Sequence, residues 1–128
     1  MSGLLIDTDV LIDALRGVES TRRFLLNQRR RGNQLWISTI TLTELYCARS
    51  LENPDEERRL RRFLHTFRLV FIDGRIAIHA GMIVRQYNCA VPDALIAACA
   101  EIRGLTLVTR NVAHFRDIEN LSLQVFED

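Results

Sequence analysis

The chain reads as an α/β protein: a largely parallel sheet of about four or five strands, flanked by helices, in one domain spanning residues 1–128. Three features predict this. Short apolar runs of strand length alternate with longer segments of helical period from one end to the other. The first run, Leu4-Leu5-Ile6, is apolar without alternation, as in a strand covered on both faces. No internal repeat, low-complexity tract or linker breaks the pattern, and 128 residues suffice for one real core.

Taken in order, the first strand ends at Asp7, and Val10, Leu11, Ala14 and Leu15 continue at helical spacing up to a stop at Gly17. Glu19 to Arg31 forms a second helix with Phe24, Leu25 and Gln28 inward. Its end, Arg29-Arg30-Arg31-Gly32, is either a cationic last turn closed by glycine or a phosphate-contacting edge. Leu35-Trp36-Ile37-Ser38 is the second strand. The next helix runs through Leu42, Leu45, Tyr46 and Arg49, capped by Ser38, Thr39 or Thr41, and Thr41 with Glu44 has capping-box spacing. Pro54 opens a further helix whose mixed charges form a solvated face. Arg68 to Asp73 is the third strand, Ile76 to Tyr87 a helix, and Pro92 begins a helix that is apolar all round and therefore buried. Leu105 to Thr109 is a strand, Arg110-Asn111 a turn, Val112 to Phe115 a short helical piece, and Leu121 to Phe126 alternates like an edge strand.

Composition is that of an ordinary globular protein, with 48% hydrophobic and 26% charged residues. No apolar run approaches the ~18 residues needed to cross a bilayer, and no cationic leader opens the chain, so a cytoplasmic location is expected. The net charge of +1 gives no global cationic field. All 17 basic residues are arginine, a bias that GC-rich coding explains as well as phosphate binding does. Cys47, Cys89 and Cys99 form no C-x-x-C pair and read as reduced, mostly buried thiols. His65, His79 and His114 lack zinc-ligand spacing.

Three carboxylates stand where their surroundings do not explain them cheaply. Asp7 ends the first strand, Glu44 sits among apolar residues early in a helix, and Asp93 lies in the first turn of an otherwise apolar one. In a parallel sheet all three belong on the carboxyl-end side, where ligands bind. Convergent carboxylates repel unless a cation lies among them, and oxygen ligands of this kind suit Mg²⁺ or Mn²⁺. Each has a plainer role too: Asp7 and Glu44 as capping residues, Asp93 as partner of a helix dipole.

The stretches Leu5-Ile6-Asp7-Thr8-Asp9-Val10-Leu11-Ile12, Ser38-Thr39-Ile40-Thr41-Leu42-Thr43-Glu44-Leu45, Pro92-Asp93-Ala94-Leu95-Ile96-Ala97-Ala98 and Leu107-Val108-Thr109-Arg110-Asn111-Val112-Ala113-His114-Phe115 resemble, in order and spacing, the four motifs of the PIN domain. More closely, the whole chain resembles VapC-type toxins of bacterial toxin–antitoxin pairs. The resemblance implies a metal-dependent endoribonuclease with Asp7, Glu44 and Asp93 as catalytic, metal-binding acids and one or two Mg²⁺ or Mn²⁺ ions. The family often has a fourth acid where this chain has Asn111, which offers a neutral oxygen only. Asp9 can partly compensate, with Asp117 more distant, and the second metal is the part placed in doubt. Thr8 and Thr109 are expected to hydrogen-bond the carboxylates or bound water. Arg110 and Arg85, with Arg16 and Arg49, are candidates for RNA phosphates. A homodimer and a cognate antitoxin that blocks the pocket are also implied.

Two rivals remain open. Asp7-Thr8-Asp9-Val10 resembles the nucleophile motif of haloacid-dehalogenase-type phosphatases, although those also expect a lysine and this chain has none. A non-catalytic RNA-binding or scaffold domain would keep the fold but has no use for three converging acids.

Overall fold

A computed structural model describes residues 3–126. Five strands, β1 (Gly3–Ile6), β2 (Gln34–Ser38), β3 (Arg68–Val70), β4 (Thr106–Thr109) and β5 (Leu123–Val125), form one sheet in the order β3-β2-β1-β4-β5. Every pairing is parallel, as expected, and Leu5 of the central strand lies opposite Trp36 on one side and Leu107 on the other. Around the sheet run α1 (Thr8–Leu15), α2 (Glu19–Arg30), α3 (Thr39–Tyr46), a 3₁₀ turn (Arg49–Glu52), α4 (Pro54–Leu64), α5 (Gly74–Tyr87), α6 (Val91–Arg103) and α7 (Val112–Phe115).

The uninterrupted apolar character of β1 follows from burial on both faces. Leu4 and Ile6 join Val10, Leu11, Leu25, Leu45 and Leu60 in a core beneath the first four helices. Leu5, pointing the other way, packs with Ile76, Ile83, Ile96 and Phe115 beneath the last three. Val108 and Leu107 divide between the same two cores, as the two-residue period of a strand requires. α1 and α3 follow directly from the carboxyl ends of β1 and β2, and α6 runs back to the start of β4, so all three helices begin at the carboxyl edge.

The structure departs from the sequence reading at four places. β3 stops at Val70 instead of Asp73. Phe71 leaves the sheet 66% exposed, and Asp73 caps α5, its Oδ1 accepting from Ile76 N at 3.0 Å. α3 ends at Tyr46 rather than Arg49, which begins the 3₁₀ turn. The capping box is also not formed: Ser38, extended at φ −89°, ψ 159°, caps α3, and Thr41 N donates to its Oγ at 3.4 Å. Glu44, one turn too deep to cap, is left for another partner. Finally, Cys99 is buried and Cys89 half-buried, but Cys47 is exposed because it follows the early end of α3.

The arginine run closing α2 takes the capping role. Gly32 adopts the left-handed conformation at φ +86°, and Arg29 donates to the Thr66 carbonyl at 3.1 Å and hydroxyl at 2.7 Å while lying over the Phe67 ring. No described helix is long and apolar enough to cross a membrane.

Candidate active site

Asp7 is the centre of the carboxyl edge. As N-cap of α1, its Oδ1 accepts from Thr8 N at 2.9 Å, so its capping role is real. Its Oδ2 accepts from the Thr109 hydroxyl at 2.7 Å, a contact across 102 residues between the ends of adjacent strands. Thr109 is itself held by Asn111 N, which donates to its Oγ1 at 3.0 Å. A capping carboxylate normally stays at the surface, but Asp7 is only 5% exposed. Burial is the main reason its pKa rises from 3.8 to about 6; Asp9 and Asp93 add to the rise, and the bonds from Thr109 and Thr8 N oppose it.

Asp93, in the first turn of α6, shares this environment. Burial again leads in raising its pKa, Asp9 adds to the rise, and His114 opposes it. His114 Nδ1 stands 3.2 Å from Asp93 Oδ2. Asp9 accepts a hydrogen bond from Asn111 Nδ2. Asn111 thus occupies the fourth-acid position and turns its donor, not its oxygen, towards the acids. Asp7, Asp9 and Asp93 feel one another's charge, so Asp9 lies close to both of the others.

Glu44 joins by a different route. Its side chain is exposed, and its Oε1 accepts from the Thr8 hydroxyl at 2.7 Å. Thr8 has one hydroxyl proton and gives it to Glu44, so the Thr41 hydroxyl, 3.0 Å away, must donate to Thr8. The Ser38 hydroxyl lies 3.4 Å beyond Thr41 and completes a buried chain aimed at Glu44. The neighbour of Asp7 in sequence is therefore the anchor of Glu44 in space. Among the described residues, no three acidic, histidine or cysteine side chains already surround a single ion position.

Of the arginines offered as phosphate ligands, Arg110 is engaged within the fold. Its Nε is 2.9 Å from Asp13 Oδ2, and its guanidinium lies 5.1 Å from the Phe126 ring centroid. Arg85 is exposed in the last turn of α5, and Arg49 is exposed in the 3₁₀ turn. Arg16 lines a cleft of about 440 Å³ that Glu44 also lines. Asp117 lines a cavity that Asp93 also lines. Sequence reasoning missed His114 as partner of Asp93 and Ser38 and Thr41 as supports of Glu44. The only signal was that these residues sit inside the same stretches as the acids.

The chain is similar to known proteins along nearly its whole length. The PIN domain family matches residues 4–121. The chain is 37% identical over 123 residues to Ribonuclease VapC10 of Mycobacterium tuberculosis, covering 92% of this chain and 90% of that one. It is 30% identical over 130 residues to the tRNA(fMet)-specific endonuclease VapC of Shigella flexneri, covering 94% and 96%. Among solved structures, a toxin–antitoxin complex from Klebsiella pneumoniae is similar at 31% identity and TM-score 0.77, covering 97% of this chain and 96% of that chain. DNA-bound VapBC from Salmonella typhimurium is similar at 30% identity and TM-score 0.81, with 98% of each chain covered. By its four ordered motifs, its parallel sheet and these relatives, the chain belongs to the PIN domain family.

Proposed function

We propose that this protein is an endoribonuclease toxin of the VapC type, hydrolysing RNA phosphodiesters at the carboxyl edge of the sheet. The observation that carries the reading is Asp7: a buried carboxylate, raised to about 6, with Asp9 and Asp93 close enough to raise it further. A fold keeps such an unbalanced group only if something else uses it. The donors are all oxygens, which suits a hard divalent cation, Mg²⁺ or Mn²⁺. Asp7, Asp9 and Asp93 would hold it, with Glu44 reaching in from the Thr8 anchor. Asn111 in the fourth position leaves charge for one tightly held ion.

When bound, the cation supplies positive charge for the scissile phosphate and eases deprotonation of the attacking water. The chain supplies the rest. Thr109 fixes the rotamer of Asp7, and its bond favours the ionised form. The Ser38–Thr41–Thr8 chain points a donor at Glu44 and holds that carboxylate at the rim, where it can orient water. His114 pins Asp93 from the opposite side. Arg16, which lines the same cleft as Glu44, is the arginine this reading sets against substrate phosphate, while Arg110 is held by Asp13.

The reading extends to partners in a cytoplasmic setting. An antitoxin is supported by the toxin–antitoxin complexes among the structural relatives. A homodimer is supported by Ile78 and Met82, one turn apart on α5 and both exposed, with Phe71 also exposed.

The test is cleavage of a mixed cellular RNA pool by wild type and Asp93→Asn, each with Mg²⁺, Mn²⁺ or EDTA. Discrete metal-dependent fragments, absent with the variant, are expected. Folded wild-type protein that cuts nothing under any metal would sink the reading.

A further inference from the structure

The second concavity next to the acids has no role in the hydrolysis. It lies where α5 ends and α6 begins, facing α7 and the turn after it, with a volume of about 330 Å³. Tyr87, Asn88, Asp93, His114, Asp117 and Ile118 supply the lining that matters here. Asp93 belongs to both the cavity and the acid group, so whatever fills the cavity sits beside the scissile phosphate.

The walls are built rather than incidental. The chain reverses at Asn88 through the left-handed region, φ 54°. The Tyr87 hydroxyl accepts from Glu119 N at 3.1 Å and ties the end of α5 to the turn beyond α7. Ile118 N donates to the Phe115 carbonyl at 3.0 Å, and its side chain makes a buried apolar floor. His114, held to Asp93, keeps a largely exposed ring at the rim.

Charge narrows the occupant. The cavity carries two carboxylates, Asp93 and Asp117, and no arginine. A phosphate is repelled from such a lining, whereas in the 440 Å³ cleft on the Glu44 side Arg16 and Arg59 offset Glu44 and Glu56. The two sides of the acid group therefore differ in what part of a nucleotide they accept. A flat, uncharged group with hydrogen-bond donors on its edge fits the acidic side: an apolar floor, ring side chains for its face, and carboxylate oxygens for its edge. The volume is at the small end of the ~300–1,000 Å³ typical of ligand sites, enough for one base.

Resting on the ribonuclease reading, we propose that this cavity is a nucleobase subsite which takes the base next to the cut and reads it through Asp117. Asp117 has no side-chain partner among the described residues and presents two acceptor oxygens. The edge that offers two adjacent donors to a carboxylate is that of guanine, with its imino N1–H and amino N2–H. Adenine and cytosine offer one amino group there, and uracil one imino group. Guanine is therefore the preferred base.

Two measurements test this. In the first, wild type and Asp117→Asn cut a pool of short RNAs randomised around the cleavage site, and the fragments are sequenced. Wild type should favour guanine at one position flanking the cut by about 5-fold to 150-fold, the range of a bidentate pair. Inosine, which lacks the amino group, should lose most of that preference. Asp117→Asn replaces one acceptor by a donor, so its preference should move towards adenine. A wild-type preference for guanine that survives Asp117→Asn, or no preference on either side of the cut, overturns the proposal and leaves the nuclease reading standing. In the second, amide NMR follows wild type titrated with guanosine, inosine, cytidine and uridine. Guanosine should shift Asn88, Asp93, His114 and Asp117, and inosine should do so far less. Guanosine shifts without an Asp117-dependent cleavage preference would make the cavity a free-nucleoside site and refute RNA readout. Wild type that cuts no RNA sinks the nuclease reading. The subsite is then upheld by guanosine-selective shifts at these residues and overturned by their absence.

Discussion

Replacing Asp7 by Asn should abolish cleavage and make the protein more stable. In wild type the folded-state pKa is about 6 against 3.8 in the unfolded chain, so between those values the folded state binds more protons. The sign follows directly: stability falls as pH rises through this window, and the full cost is present above about pH 6. Moving an acid from 3.8 to about 6 corresponds to ~3 kcal/mol. Asn removes that cost. It still offers an oxygen to Thr8 N, but gives up a charge-assisted bond from Thr109, which takes back ~1 kcal/mol. The net gain is ~2 kcal/mol at pH 7.5, or about 7 °C in Tm for a chain of this length. By pH 5 about half of the ~3 kcal/mol has gone, because the wild-type carboxyl is then largely protonated. The assay is thermal and urea unfolding of both proteins from pH 5 to 8 with EDTA present. A variant no more stable than wild type at pH 7.5, or a difference that stays constant across that range, refutes the account of Asp7 as a buried, uncompensated charge.

Divalent ions give a second check: Mg²⁺ or Mn²⁺ should raise the Tm of wild type as concentration passes the dissociation constant, and Asp7→Asn or Asp93→Asn should lose that rise. Thr8→Val removes the hydroxyl that donates to Glu44 and should lower kcat by about 10-fold to 100-fold with little change in KM, whereas Thr8→Ser should recover most of the rate. Arg110→Ala should lower stability by about 1–2 kcal/mol, read by urea unfolding, through loss of Asp13 and Phe126, while KM for RNA stays within about twofold. Ile78→Asp should leave the fold intact by circular dichroism and convert a dimer to monomers in sedimentation velocity.

Much of this molecule can be read from its sequence, and the divide between what can and cannot is physical. β1 is legible because burial on both faces removes every polar residue from it. Asp7 and Asp93 are legible because each interrupts an apolar pattern at an element boundary. Glu44 was noticed, but its setting was misjudged: capping-box spacing pointed to Thr41, whereas Ser38 leaves the strand already extended and takes the cap. Its true anchor, Thr8, is 36 residues away, and periodicity can say which face a side chain takes but not which neighbour it meets. The same limit hid the pairing of His114 with Asp93 and the capture of Arg110 by Asp13. Cys47 is exposed because α3 stops early, and no breaker residue marks that end.

The bond from Thr109 to Asp7 joins groups 102 residues apart, and the bond from Asn111 to Asp9 spans the same separation. During synthesis, β1 and α1 leave the ribosome before β4 and can pair with β2 while the later strands are unmade. Thr109 and Asn111, which complete the acid group, are made after all of its acids. A nascent chain stopped after residue 105 has Asp7, Glu44 and Asp93 but no β4 to dock Asp7 against, and it should bind no divalent ion and cut no RNA.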